Sequence, residues 1–323
     1  MSKERKKLWT PSEEWIENAN VTKFIEFVNK EYNRDIKGAK DLYKWSVEEI
    51  KEFWAAFWDF ADIIASEGYD KVVDDLNKFP GTQWFPGAKM NFAENLLRYD
   101  DDQLAFIFQG EKKVTKKITY KELNKVVARL AKALREMGVK KGDRVVSYIP
   151  NLIETPIAML ATASIGAIWA SCGAELQARA VIDRFAQIEP KVLFTVDGYF
   201  YKDSVFETIP NAKEVVDAIP SIEKVVVVSY VSDGKPDINN IPNAVHWDDF
   251  IFKEENPNNH FEQLPFEHPV YIMFSSGTTG KPKCMVQSGG GVLVNHLKEL
   301  ILSTDLKRKD VINYITAPSW MMV

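Results

Sequence analysis

The sequence predicts an α/β fold: a mostly parallel, doubly wound sheet preceded by an aromatic-rich helical cap. Three observations carry that expectation. KVLFTV (191–196) and VVVVS (225–229) are β-branched runs without alternation, as in strands covered on both faces. Between such runs lie stretches with apolar residues at helical spacing, so strands and helices alternate as in parallel sheets. Ahead of them, roughly the first hundred residues are helical in pattern and crowded with tryptophan and phenylalanine.

The elements follow in chain order. In WSVEEIKEFWAAFWDFADII (45–64), Ser46 and Glu49 have the spacing of a capping box, with Trp45 and Ile50 placed as a hydrophobic staple. Ile50, Phe53, Trp54, Phe57, Trp58 and Ala61 share one face, which reads as packing surface rather than a ligand box. FPGTQWFPGAKMNFAENLL (79–97), punctuated by two Pro-Gly pairs, reads as the passage into the main domain. The expected division is therefore 1–98 for the cap and 99–323 for the main domain. LAFIF (104–108) is a short apolar run. Thr119 and Glu122 form a second capping box, opening a helix striped by Leu123, Val127, Leu130, Leu134 and Met137. Gly138 supplies its left-handed end. Residues 144–149 read as a strand, and 153–169 as a helix buried on most sides.

Composition excludes several classes. With 41 basic and 46 acidic residues the net charge is −5, which argues against general affinity for nucleic acid or an anionic membrane. No run approaches the roughly 18 apolar residues of a spanning helix, and the basic block at 3–7 lacks the apolar core of a secretory signal. Cys172 and Cys284, like the four histidines, lack disulfide or metal spacing, so no metal site is expected among them. A cytoplasmic setting is expected.

The segment IMFSSGTTGKPKC (272–284) carries the chemistry. VYIMF (270–274) reads as a buried strand, so the loop SSGTTGKPK (275–283) leaves the carboxyl end of a strand, where open α/β sheets bind ligands. Gly277 and Gly280 permit left-handed backbone and close approach of a large anion. Successive N–H groups can cradle phosphate oxygens, the hydroxyls of Ser275, Ser276, Thr278 and Thr279 add donors, and Lys281 and Lys283 add charge. A Walker A loop is excluded, because the glycines are three apart and Pro282 stands where the hydroxyl belongs.

SSGTTGKPK resembles the signature loop of the adenylate-forming superfamily. WFPGAKMNFAENLL (84–97), PNLIETPIAMLATASIGAIWASC (150–172), DRFAQIEPKVLFTVDGYFY (183–201) and GGVLVNHLKELILSTDLK (290–307) are similar to its acetoacetyl-CoA synthetase branch. The resemblance spans essentially the whole chain. It implies an incomplete sheet of the adenylate-forming type, corresponding to the N-terminal half of such enzymes. The implied reaction joins acetoacetate, or another short acid, to ATP as an acyl-adenylate and then transfers the acyl group to CoA, with Mg2+ accompanying ATP. A catalytically silent nucleotide-binding remnant is the alternative reading.

Residue by residue, the resemblance assigns phosphate contacts to Ser275, Ser276, Gly277, Thr278, Thr279, Gly280 and Lys283. It puts Trp320 beside the acyl pocket, against the plain alternative of a core tryptophan. Lys202 would face CoA, against that of a solvated surface lysine. The adenylation lysine is expected beyond residue 323, together with the adenine contacts and a Mg-binding acid. Such a chain is expected to be inactive alone, to expose apolar surface, and to need the remaining half, possibly from a separate chain. It departs from the branch at Gln287, where a histidine is usual, at Gly173 to Gln177, and at Ser319, which stands for a glycine.

Overall fold

The computed structural model describes residues 8–111, 115–253, 257–275 and 280–319, which group into two compact units. The first consists of Met1–Ile63, Tyr69–Pro86 and Gly291–Asn313. Its helices are α1 (Glu13–Asn18), α2 (Asn20–Glu31), α3 (Ala39–Glu48) and α4 (Ile50–Phe60). Phe24 of α2 is fully buried, with its ring centroid 5.9 Å from that of Phe53 and 6.0 Å from that of Phe57 on α4. Edge-to-face pairs of this kind add about 0.5–1.5 kcal/mol each beyond their buried area. The aromatic stripe is thus packing surface, as its spacing implies. Asn20 joins α2 to residues further along: its side chain donates to the carbonyls of Ile301 (3.2 Å) and Leu306 (2.9 Å).

The expected cap at Ser46 is corrected. Ser46 lies inside α3, where its hydroxyl donates to the carbonyl of Tyr43 at 2.8 Å. The chain breaks between α3 and α4 at Glu49, with φ −115° and ψ 53°. Trp45 prefers burial against Phe53, centroids 5.8 Å apart, over a staple with Ile50. Packing of the indole outweighs a cap of about 1 kcal/mol.

The second unit consists of Ile64–Gly68, Gly87–Gly290 and Tyr314–Val323. In chain order it holds β1 (Ala65–Glu67), β2 (Lys89–Met90), α5 (Phe92–Leu96), β3 (Leu104–Gln109), β4 (Thr115–Thr119), α6 (Tyr120–Glu136), β5 (Arg144–Tyr148), α7 (Glu154–Ser164) and β6 (Ile168–Cys172). There follow α8 (Ala178–Phe185), β7 (Val192–Val196), β8 (Gly198–Tyr201), β9 (Ser204–Glu207), α9 (Ile209–Ala218), β10 (Lys224–Val228), β11 (Ala244–His246), α10 (Trp247–Phe250), β12 (Leu264–Pro265), β13 (Pro269–Ser275) and β14 (Lys283–Ser288). Helix α11 (Gly289–Lys298) begins here and continues into the first unit's Gly291–Asn313.

The main sheet has the order β11-β10-β7-β5-β6-β13-β14, parallel throughout except that β14 runs antiparallel to β13. All five residues of β7 are buried, as a doubly covered strand requires. Helices α8 and α9 cover one face with Val181, Phe185, Ala212 and Val215, while α6 packs with α7. LAFIF is not part of this sheet: among the described residues β3 pairs with β4 alone, in a separate two-stranded antiparallel sheet.

Helix α6 is specified by its ends. The Thr119 hydroxyl accepts from the Glu122 N–H (3.2 Å) and the Glu122 carboxylate accepts from the Thr119 N–H (2.9 Å). At the far end Gly138 has φ 93°, Val139 N–H reaches the Leu134 carbonyl (3.0 Å) and Gly138 N–H that of Arg135 (2.9 Å). This is a Schellman motif.

The helix expected over 153–169 is shorter. It stops at Ser164, and Trp169 belongs to β6. The same terminator does it: Gly166 has φ 75°, with Ala167 N–H to Thr162 and Gly166 N–H to Ala163, both 3.1 Å. Among the described residues no helix is long and apolar enough to cross a membrane.

Candidate active site

The site forms where the parallel strands of the second unit end. After β5 the chain turns to α7, and after β6 to α8; β7 then returns to the other side of β5. The sheet order therefore reverses between β5 and β6, the crevice that binds ligands in open α/β sheets. Strand β13 lies next to β6, with Tyr271 paired to Trp169.

Ser275 closes β13 and is paired with Lys283, the first residue of β14. β13 and β14 are therefore consecutive antiparallel strands, and a strand rather than a helix follows the segment between them. That geometry agrees with the exclusion of a Walker A loop. Of the expected phosphate contacts, Ser275, Gly280 and Lys283 are described; Ser276, Gly277, Thr278 and Thr279 lie outside the described residues, as does Trp320. Ser275 is half-buried, whereas Lys283 is exposed. Gly280 has φ 93° and open space where a Cβ would stand, so backbone conformation alone selects glycine there. The loop is anchored from α8's side: Gln187 Nε2 donates to the Pro282 carbonyl at 2.9 Å.

The neighbouring rim is held by buried polar groups. The Tyr148 hydroxyl donates to the carbonyl of Leu176 in the β6–α8 turn, and Thr195 Oγ1 donates to the Tyr148 carbonyl at 3.1 Å. Burial pushes the Tyr148 phenol up to about 12 and the Cys172 thiol up to about 12, so both stay protonated at neutral pH. Cys172 is thus no thiolate nucleophile. Beyond β7, Asp197 accepts backbone N–H groups from Tyr230 (2.8 Å), Val231 (3.1 Å) and Ser232 (2.9 Å), fixing the turn after β10.

Lys202 is not at this rim's loop. It sits in the two-residue turn between β8 and β9, where Lys202 (φ 49°) and Asp203 (φ 65°) both adopt the left-handed conformation of tight hairpins. Its ammonium lies 5.3 Å from the Tyr201 ring centroid. Among the described residues no group of three or more His, Cys, Asp or Glu could hold a metal ion.

Comparison with known proteins decides the family. The AMP-binding enzyme family matches residues 92–323, and the acetyl-coenzyme A synthetase N-terminus matches residues 39–96. The chain belongs to the AMP-binding enzyme family. A relative named acetoacetyl-CoA synthetase in Macaca fascicularis is 44% identical over 98% of this chain and 48% of its own length. Malonamoyl-CoA synthetase vrtB of Penicillium aethiopicum is 35% identical over 93% of this chain and 43% of its own. Among solved structures, acetoacetyl-CoA synthetase from Streptomyces lividans superposes with a TM-score of 0.92 at 38% identity, covering 98% of this chain and 49% of that one. The chain thus spans about half the length of the curated relatives it matches, and the doubly wound α/β architecture is that of a family member.

Some residues that position the fold or the candidate site escape sequence reasoning. Asn91 is fully buried; its Oδ1 accepts from Ala93 N–H (2.9 Å) as the cap of α5, and its Nδ2 donates to the carbonyls of Ala163 (3.1 Å) and Glu262 (2.8 Å). The signal was present in NFAE, an asparagine with glutamate three residues on, but not its long-range partners. Tyr148 and Gln187 carry no local signal for their roles.

Proposed function

We propose that the chain is the nucleotide-gripping half of an AMP-forming acid–thiol ligase. In this reading a short carboxylic acid attacks the α-phosphate of ATP, pyrophosphate leaves, and the thiol of CoA then displaces AMP from the acyl-adenylate. The observation that carries the reading is the loop joining Ser275 to Lys283 at the sheet's carboxyl rim, in a chain of this family. The loop's hydroxyls, its N–H groups and Lys283 would hold the β- and γ-phosphates as charge builds on the leaving pyrophosphate. Fixed dipoles do this better than water, which must reorganise. Mg2+ would arrive with ATP.

Acetoacetate is the proposed acid, supported by the names of the relatives at 41–44% identity. A related acid is the second reading, favoured by the malonamoyl relative. Both names describe a short acid with a carbonyl β to the carboxylate, which defines the substrate class. Trp320 is proposed to border the acyl pocket and Lys202 to meet CoA. The cap is proposed to run over 1–98 and the adenylation domain over 99–323, in the cytoplasm. The remaining half, with the adenylation lysine, would come from further chain, either continuous with this one or separate.

The test is ATP–pyrophosphate exchange with acetoacetate, comparing the chain alone with the chain plus a polypeptide carrying the second half of a relative. Exchange is expected only for the pair, and faster with acetoacetate than with acetate. Failure of the pair to exchange with any short acid overturns the reading.

A further inference from the structure

Helix α8 is fastened at both ends, to the rim of the crevice at one and to the candidate phosphate loop at the other. At the near end the β6–α8 turn closes on itself, with Leu176 N–H donating to the Gly173 carbonyl at 3.1 Å. The Leu176 carbonyl in turn accepts from the hydroxyl of Tyr148, the last residue of β5. Asn211 of α9 donates to that same hydroxyl at 3.4 Å, so the phenol is held from one element and grips the turn of another. Tyr148 is fully buried, and burial keeps its phenol protonated and able to donate.

At the far end the Gln187 carboxamide uses both of its N–H groups. Nε2 donates to the Asp183 carbonyl in the last turn of α8 at 2.7 Å and to the Pro282 carbonyl of the loop at 2.9 Å. Between these ends α8 is eight residues long, a rise of about 12 Å. Val181 and Phe185 are fully buried in one core with Val146 and Tyr148 of β5 and Ile272 of β13. The Phe185 ring centroid lies 6.1 Å from that of Phe274, the residue before Ser275. A helix packed this closely shifts as a unit rather than bending locally. Sites that hold reacting groups depend on supporting hydrogen bonds that fix them to a fraction of an ångström. We propose that Tyr148 is a positioning residue for the phosphate loop: through the Leu176 carbonyl it sets where α8 begins, and α8 carries that setting to Pro282 through Gln187. The turn and the loop then act as one unit, and a change at either is felt at the other. The inference rests on the loop's proposed role in gripping ATP.

The experiment compares Tyr148→Phe, which deletes only the hydroxyl, with Gln187→Ala and the double variant. On the chain without nucleotide, amide exchange of Leu176 reads the turn, and iodoacetamide labelling of Cys284, just beyond Pro282, reads the end of the loop. Tyr148→Phe is expected to quicken both roughly fivefold, the worth of one hydrogen bond. Asn211→Ala removes the hydroxyl's other partner and carries the same test, with the same direction expected, if Tyr148→Phe fails to fold. Thr162→Val, which takes an equally buried hydroxyl from α7, should change neither readout. A faster Leu176 amide with unchanged Cys284 labelling overturns the proposal, as does no change in either. With the second half of a relative added, pyrophosphate exchange gives the KM for Mg·ATP. Each single variant should raise it roughly fivefold while kcat and the KM for the acid hold, a split that general destabilisation does not produce. The double variant should stay near that same value, because either change cuts one link. Effects that multiply in the double variant mean two independent contacts and overturn the proposal. Absence of exchange in every protein sinks the ligase reading, while the two readouts on the chain alone still decide the link along α8.

Discussion

Gln187, just beyond α8, donates a 2.9 Å hydrogen bond to the backbone carbonyl of Pro282, tying the candidate phosphate loop to the helix that follows β6. The bond spans 95 positions of sequence and fixes the Pro282 end of the loop. Replacing Gln187 by alanine removes one hydrogen bond, a net loss of about 1 kcal/mol. Mg·ATP binding to the reconstituted pair, measured by calorimetry, is expected to weaken roughly fivefold by that figure. Unchanged affinity would separate the loop from this anchor.

Lys283 is exposed and begins β14 opposite Ser275, so its removal should spare the fold. If it stabilises the departing pyrophosphate, Lys283→Ala should slow exchange by roughly 10²–10³, the usual loss for one transition-state donor. Lys283→Arg should recover part of that. A rate within a factor of a few of the parent, with intact melting, removes Lys283 from the phosphate contacts.

The two cysteines should react differently. Cys172 is fully buried and its thiol is pushed up to about 12, whereas Cys284 is half-buried on β14, its thiol raised by burial but still reachable. Iodoacetamide should label Cys284 first and Cys172 only on unfolding. Mg·ATP should slow labelling of Cys284, which follows Lys283 directly. Mass spectrometry of the labelled peptides reads both outcomes.

His268 links stability to pH. Burial holds its imidazole below the usual histidine range, although its Nε2 sits 2.9 Å from the Gly166 carbonyl. Below about pH 6.5 the unfolded chain takes up a proton that the folded chain resists, so the unfolded state binds more protons and stability falls as pH falls. The contribution is complete above the unfolded value and is lost progressively on acidification toward the folded one. His268→Gln should flatten the urea midpoint between pH 7 and pH 5.5; an equally steep dependence in the variant would refute the assignment.

Thr119→Ala removes the hydroxyl that caps α6 and should lower stability by about 1 kcal/mol. Faster amide exchange confined to the first turn of α6 would identify the lost cap as the cause.

Local signals were readable where the chain settles its own geometry. Thr119 with Glu122, Gly138, and the unalternating runs of β7 and β10 all act over a few residues, and each stands where its pattern places it. Ser46 failed because its competitor is tertiary: Trp45 is drawn into the aromatic cluster and carries the helix past the serine. The end of α7 failed for a different reason. In TASIGAIWASC the apolar pattern runs on unbroken, and one glycine outweighs it by supplying φ 75°. The pairing of β3 with β4 alone was likewise hidden, since an apolar run does not name its neighbour. Ser275 facing Lys283 is a pairing of strands that only the folded register reveals.

Gly166 also acts as a ruler. Its carbonyl receives the Gly142 N–H at 2.9 Å and the His268 imidazole, so the spot where α7 stops is pinned to the starts of both flanking strands. Side chains in a strand alternate sides, so a residue gained ahead of Ile168 and passed into β6 would swing Trp169 and Ser171 to the opposite face. Length variation in this stretch is therefore expected to come in compensated form or not at all.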